Sequence, residues 1–437
     1  MHVLLVTDAF PPICGGSGWS TYELARGLRR AGHEITIVRP RPGQPPGETR
    51  TQYEDFTVRE FGTYAPSLPF VRNYFKNERL QRTLGAYLEP IIRDEHVDIV
   101  HGQHLLSAPG AIRAARRMHV PVVVTVRDYW PVCYWSDLIH DYNADSLCPA
   151  CSSGMMLKCI RPRAKRFAPI ASAAIPYMTR NLAWRRRTLS DANAVIAVSS
   201  AIARDLRARA PELARTRLEL IPNPVDVQRI RTAAQTVPPD IRRPYAIYIG
   251  KLAPNKGSHK LMPAINAANL TWPIIVVGDG PGRAEAEAAA KASGRDVRFT
   301  GWLTREEALS WLAHASMLIF PSHGPESLSR VLLEASALGV ATAAMETGGT
   351  RDIVAHEATG LLSSTVHELS EHIARLAESA TLRARLGANA KQLIDQRFDS
   401  RAVVQRVTAL YQDLMTGSRP GSGSGAGGGV RSRPAHA

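Results

Sequence analysis

The chain alternates short, β-branched apolar runs with longer stretches whose apolar residues recur at helical spacing. The runs His2–Thr7, Glu34–Val38, Ile99–His101, Val122–Val126, Val195–Val198 and Leu218–Ile221 predict strands. Between the first two, Thr21–Ala31 predicts a helix with Leu24, Leu28 and Ala31 on one face. The pattern then restarts. Tyr245–Ile249, Ile274–Val277, Val297–Thr300 and Met317–Phe320 predict strands, separated by helices such as Arg283–Ser293 and Arg305–Ala315. Strands alternating with helices imply parallel sheets covered on both faces. The expected fold class is α/β, with two Rossmann-like, doubly wound domains.

Each half opens alike, on a strand, a turn with glycine and a helix: VLLVT…GGSG…YELARGL, then AIYIGKLAPNKG. Ligands of open α/β sheets bind beyond the C-terminal ends of the strands. Two such sheets facing each other would place both turns in one cleft. A first domain is expected over 1–190, with a cysteine-rich insertion at about 133–159, and a second over 191–398. Val403, Val407, Leu410 and Leu414 predict a last helix over 399–415 that returns to the first domain. The Gly/Ser/Pro-rich stretch 416–437 is expected to be disordered.

Composition narrows the partners. The 437 residues are 44% hydrophobic and 21% charged, an ordinary globular balance large enough for two cores. A net charge of +15 attracts polyanions. Only 6% of residues are aromatic and no nucleic-acid module is recognisable, so nucleic acid is not an expected partner. The cations crowd into Arg161–Arg187, where the apolar run Phe167–Met178 separates two basic clusters. That pairing suits an anionic membrane surface, although a solvated basic face has the same composition. No run reaches the roughly 18 apolar residues of a spanning helix, and the N-terminus lacks a signal-peptide pattern. The expectation is a cytoplasmic protein, peripheral at the inner face of the membrane.

Glu326 and Glu334 lie in FPSHGPESLSRVLLEASALG. A helix starting near Ser327 would put Glu326 at its entrance and Glu334 two turns inside, roughly 12 Å apart. Ionised carboxylates are acceptors suited to vicinal hydroxyls. Free N–H groups of Ser327, Leu328 and Ser329 would meet a diphosphate between them. Two bare glutamates are more often surface residues, but Glu334 sits inside an apolar stretch where a charge needs a partner. Lys251 and Lys256, after Gly250, would clamp the diphosphate, and Gly15 and Gly16 form the matching turn of the first half.

Together these segments resemble the retaining glycosyltransferases of family 4, which have the GT-B fold. The matched pieces are GG at 15–16, LARGLRRAGHEITIV at 24–38, AVIAVSSAIARDL at 194–206 and IPNPVDV at 221–227. GKLAPNKG at 250–257, VVGDGPGR at 276–283, VRFTGWL at 297–303, the PES–EASALG segment and GGTRDIV at 348–354 complete them. The resemblance implies that Glu326 binds the donor sugar, Glu334 the ribose, Lys251 and Lys256 the diphosphate, and Gly16 phosphate from the opposite domain. It implies transfer from a nucleotide sugar with retention and without a catalytic metal, and no Asp-x-Asp occurs. The acceptor would be a sugar, a growing cell-envelope polysaccharide or a lipid-linked molecule, given Leu68–Phe75 and the basic segment.

Two positions depart from the family pattern. The histidine usual near Ser20 is missing. After Val122–Val126 the histidine expected near the reacting carbon is replaced by Arg127, followed by Asp128. Arg127 cannot act as a base but could hold the leaving phosphate. A nucleotide-sugar-binding protein without turnover, in a polysaccharide assembly, is the alternative this substitution raises. His104, near His101, is a candidate acceptor-side base or a buried, hydrogen-bonded histidine. Cys133, Cys148, Cys151 and Cys159, as C-x14-C-x2-C-x7-C, fit a structural zinc, an iron–sulfur cluster, or reduced or labile paired thiols.

Overall fold

A computed structural model describes residues 1–68, 71–141, 147–235, 241 and 244–417. The tail from 418 onward, and Pro69 and Phe70 of the apolar-aromatic segment, lie outside the described residues. The first sheet holds β1 (His2–Val6), β2 (Glu34–Pro42), β3 (Gly47–Tyr53), β4 (Phe56–Thr63), β5 (Ile99–Gly102), β6 (Val122–Val126), β7 (Ala194–Ala197) and β8 (Arg217–Leu220). Its order is β3-β4-β2-β1-β5-β6-β7-β8, parallel except for β3 against β4. The second sheet holds β9 (Ala246–Ile249), β10 (Ile274–Val277), β11 (Val297–Gly301), β12 (Met317–Phe320), β13 (Thr342–Met345) and β14 (Leu361–Ser363). It is parallel throughout, in the order β11-β10-β9-β12-β13-β14.

Period-2 alternation explains why both faces are covered. Leu4 and Val6 of β1 pack with Leu80, Leu84 and Leu88 of the helix Leu80–Asp94. Val3 and Leu5 pack on the other face with Tyr22, Leu24 and Leu28 of the helix Gly16–Arg30. Val403, Val407, Leu410 and Tyr411 of the last helix, Ser400–Gly417, join that second face. The C-terminal helix therefore completes the core of the first sheet.

β7 and β8 belong to the first sheet, through the β6–β7 and β7–β8 pairings. A division at 190/191 would strip both from it; the chain leaves this sheet at Leu220 and enters the second at Ala246. A second crossing runs beside the first: Val225 N–H donates to Phe398 O and Ser400 N–H to Val225 O, each 2.9 Å.

Candidate active site

The loops after β9 and β12 meet at the C-terminal edge of the second sheet, and their backbones are laced together. Gly324 N–H donates to Asn255 O at 2.7 Å. Gly257 has φ +68°, and a Cβ there would lie 1.7 Å from Pro321 O. Lys256 ends the short turn Pro254–Lys256 just before this glycine. Its Nζ donates to Glu326 Oε1 at 2.7 Å, and Ser322 Oγ donates to the same oxygen at 2.6 Å. Glu326 is buried, whereas Lys256 keeps about a third of its side chain in solvent. Ser322, four residues before Glu326, was not singled out from the sequence; only its place in the same turn signals it.

The loop after β13 closes the opposite side. Gly349 N–H donates to Glu326 O at 2.6 Å, and Thr347 Oγ1 to Gly324 O at 3.0 Å. Gly348 has φ +53°, and a Cβ would sit 2.1 Å from Glu326 O. Glu326 is thus fixed by three loops. Gly250 N–H donates to Val277 O at 3.0 Å, tying the Lys251 turn to β10. Lys251 is exposed and makes no ion pair among the described residues.

The helix after Glu326 is Arg330–Leu338, with Ser329 as an extended cap residue at φ −68°, ψ 123°. It begins later than the expected start near Ser327, because Ser327–Ser329 do not take helical geometry. Glu334 is therefore its fifth residue, one turn inside. The free N–H groups are those of Arg330, Val331 and Leu332, since Leu333 N–H already reaches Ser329 O. Gly16, first residue of the helix Gly16–Arg30, faces this helix across the domains; a Cβ there would lie 3.4 Å from Arg330 Cβ. Gly16 thus faces the start of the Arg330–Leu338 helix, four residues past Glu326, from the opposite domain. A separate groove of about 1810 Å³ runs between Arg26, Arg30, Asp395 and Asp399 and includes none of the lysines or glutamates just described.

The two acceptor-side candidates, Arg127 and His104, are both buried. Arg127 is buried; its Nε donates to Asn223 Oδ1 at 2.8 Å and its Nη1 to Gln103 Oε1. Burial pushes its pKa down to about 9. His104 is buried beside Thr7, with 3.5 Å from Nδ1 to Thr7 Oγ1, and its Nε2 has no hydrogen-bond partner among the described residues. Burial drives its pKa well below 6.5. His101 is consumed by Tyr411 Oη at 2.5 Å and Thr125 Oγ1 at 2.7 Å. Two carboxyls not singled out as catalytic lie beyond β1 and β6: burial raises both Asp8 and Asp128 to about 6.

Among the described residues no group of three or more His, Cys, Asp or Glu side chains is arranged to hold a metal ion. Cys133 and Cys151 share a hydrogen bond, which lowers the Cys133 pKa, whereas Cys148 Sγ donates to Ala150 O at 3.2 Å. Cys159 Sγ turns to Ile139 O at 3.9 Å.

Residues 14–229 match the model of Glycosyltransferase Family 4, and residues 231–393 that of Glycosyl transferases group 1. A GDP-mannose-dependent alpha-mannosyltransferase of Mycobacterium tuberculosis is 28% identical over 86% of this chain and 88% of its own length. Sucrose-phosphate synthase from Thermosynechococcus elongatus superposes with a TM-score of 0.71 at 19% identity, covering 95% of this chain and 99% of its own. The Anabaena protein HepE in complex with UDP gives 0.61 at 17%, covering 94% and 100%.

Proposed function

The chain belongs to the family-4 glycosyltransferases of GT-B fold, retaining enzymes that use nucleotide-sugar donors, and from that premise we propose that it transfers a hexose from a UDP- or GDP-sugar to a lipid-linked acceptor at a membrane surface. The observation that carries the donor assignment is the Lys256–Glu326 pair at 2.7 Å, buried on its carboxylate side and held by three loops. In this reading Glu326 accepts hydrogen bonds from hydroxyls of the donor hexose. Lys256 and Lys251 face the diphosphate, aided by the free N–H groups at Arg330–Leu332 and the helix dipole. Glu334 accepts from the ribose. Enzymes of this family generally need no metal ion; here the lysine charges and the helix N-terminus stabilise the leaving diphosphate. The departing phosphate oxygen takes the acceptor proton on the face it leaves, which keeps the anomeric configuration.

Exposed apolar groups on the first domain support the choice of acceptor. Tyr64, Leu68, Val71 and Tyr74 lie on one segment, Phe167 and Ile170 on another, the latter among exposed Lys158, Arg161, Lys165 and Arg166. Asn73 Nδ2 donates to Tyr134 Oη at 2.9 Å, and Tyr134 packs with Met156, Ile160 and Ala168, so the two segments adjoin. Apolar side chains among cations suit the interface of an anionic bilayer. No described helix is long and apolar enough to cross a membrane.

The test is a thermal-shift screen of nucleotide sugars, followed by donor turnover in the wild type and Glu326→Gln. The variant is expected to retain its fold and lose at least ~10²-fold in kcat/KM. Unchanged turnover would remove Glu326 from the site.

A further inference from the structure

Four charged side chains meet where the two domains touch. Glu23, on the helix Gly16–Arg30, is 1% exposed at its side chain. Its Oε1 accepts from Arg330 Nη2 at 2.5 Å and from Arg305 Nη2 at 3.1 Å, and its Oε2 accepts the Asp226 N–H at 2.6 Å. The same two guanidinium groups reach Glu334 more loosely: Arg330 Nε at 3.3 Å and Arg305 Nη2 at 3.4 Å, both on Oε1. Glu334 Oε2 makes no hydrogen bond among the described residues. Thr304 and Glu307 form a capping box that fixes the start of the helix carrying Arg305, whose guanidinium also lies over the Trp19 ring at 4.5 Å.

The cluster is neutral as it stands, with two carboxylates and two guanidinium groups. Its members are nearly dry, so removing one charge leaves another buried and in search of a partner. Glu23 holds the shorter contacts. Without its charge, both guanidinium groups would turn to the remaining carboxylate and occupy both its oxygens.

We propose that Glu23 is a positioning residue for the donor: from the opposite domain it draws off Arg305 and Arg330, leaving one Glu334 oxygen open to the ribose hydroxyls. This rests on the reading of Glu334 as the ribose ligand. It also makes ribose recognition depend on contact between the domains, because Glu23 reaches the arginines only when the helices Gly16–Arg30 and Arg330–Leu338 are together.

The experiment compares UDP and GDP with their 2′,3′-dideoxy counterparts by calorimetric titration of the full chain. The wild type is expected to prefer the ribose form of the base it binds by roughly tenfold or more. In Glu23→Gln that preference should fall toward one, while affinity for the dideoxy form changes less than about threefold. A purely structural role would weaken both forms equally, and a retained preference in Glu23→Gln overturns the positioning role alone. Arg305→Gln relieves the competition from the other side and should keep or raise the preference, which tests the same idea should Glu23→Gln fail to fold. Loss of preference in Arg305→Gln overturns the proposal. A wild type with no preference overturns the ribose reading of Glu334 and the proposal with it.

Discussion

Replacing Gly257 by alanine should damage the donor site through one methyl group. An added Cβ would stand 1.7 Å from Pro321 O and 2.6 Å from Pro321 C. An ordinary C···O contact is about 3.3 Å, so the two loops must part by about 1.5 Å. The Lys256 Nζ–Glu326 Oε1 contact is 2.7 Å; the same displacement carries it beyond hydrogen-bond range. Misplacing a catalytic group by about 1 Å is worth roughly 10²-fold in rate, or about 2.7 kcal/mol of transition-state stabilisation. The left-handed backbone adds about 1–2 kcal/mol of strain for any side chain. Gly294, at φ +65° with nothing within 4 Å of a Cβ, isolates that second contribution. Both variants should lose a few degrees of Tm, on the order of 2–4 °C per kcal/mol for domains this size. Only Gly257→Ala should lose about 10²-fold in kcat/KM for the donor. Steady-state donor turnover, measured on both variants at a temperature where both are folded, separates the effects. If Gly257→Ala works within threefold of Gly294→Ala, the reasoning that the loop approach positions Lys256 is refuted.

Two further outcomes follow from burial and exposure. Asp128 holds its proton to about pH 6 in the fold against 3.8 as a free carboxyl, so the unfolded chain releases it first as pH rises. Its contribution to stability is therefore largest below pH 4 and is lost through pH 6. Urea unfolding at pH 4.5 and 7.5 should show Asp128→Asn gaining on the wild type by ~2 kcal/mol between the two, and a difference that ignores pH would contradict the shift. Phe167→Ser with Ile170→Ser should abolish sedimentation with anionic phosphatidylglycerol vesicles while leaving nucleotide affinity in solution unchanged; full retention would sink the membrane-surface reading.

The strands buried on both faces were legible as sequence, because HVLLV, VVVTV, IIVV and MLIF carry apolar residues at every position or nearly so. β3, GETRTQY, was not: it is an exposed edge strand with polar residues facing both ways, and only its pairing with β4 makes it a strand. β13 and β14 escaped as well, being three or four residues of TAAM and LLS. Gly250, Lys251, Lys256 and Glu326 could be picked out as candidates because they lie in turns a few residues long. The setting of Glu334 could not, since Glu23 reaches Arg330 across 307 positions of chain.

The setting of Arg127 follows from strand parity rather than from its local sequence. Val122, Val124 and Val126 pack on one face of the sheet, with Leu4 and Val6. Val123 packs on the other, with the last helix, and Thr125 on the same side bonds His101, whose second partner is Tyr411 of that helix. Continuing the alternation past the strand end puts Arg127 on this helix-covered face. The neighbouring strand obeys the same parity: Ile99, His101 and Gln103 face the same way, and Gln103 receives Arg127. A guanidinium on a covered face must find acceptors there, and Asn223 and Gln103 supply them. Arg127 therefore ties β6 to β5 and to the segment after β8.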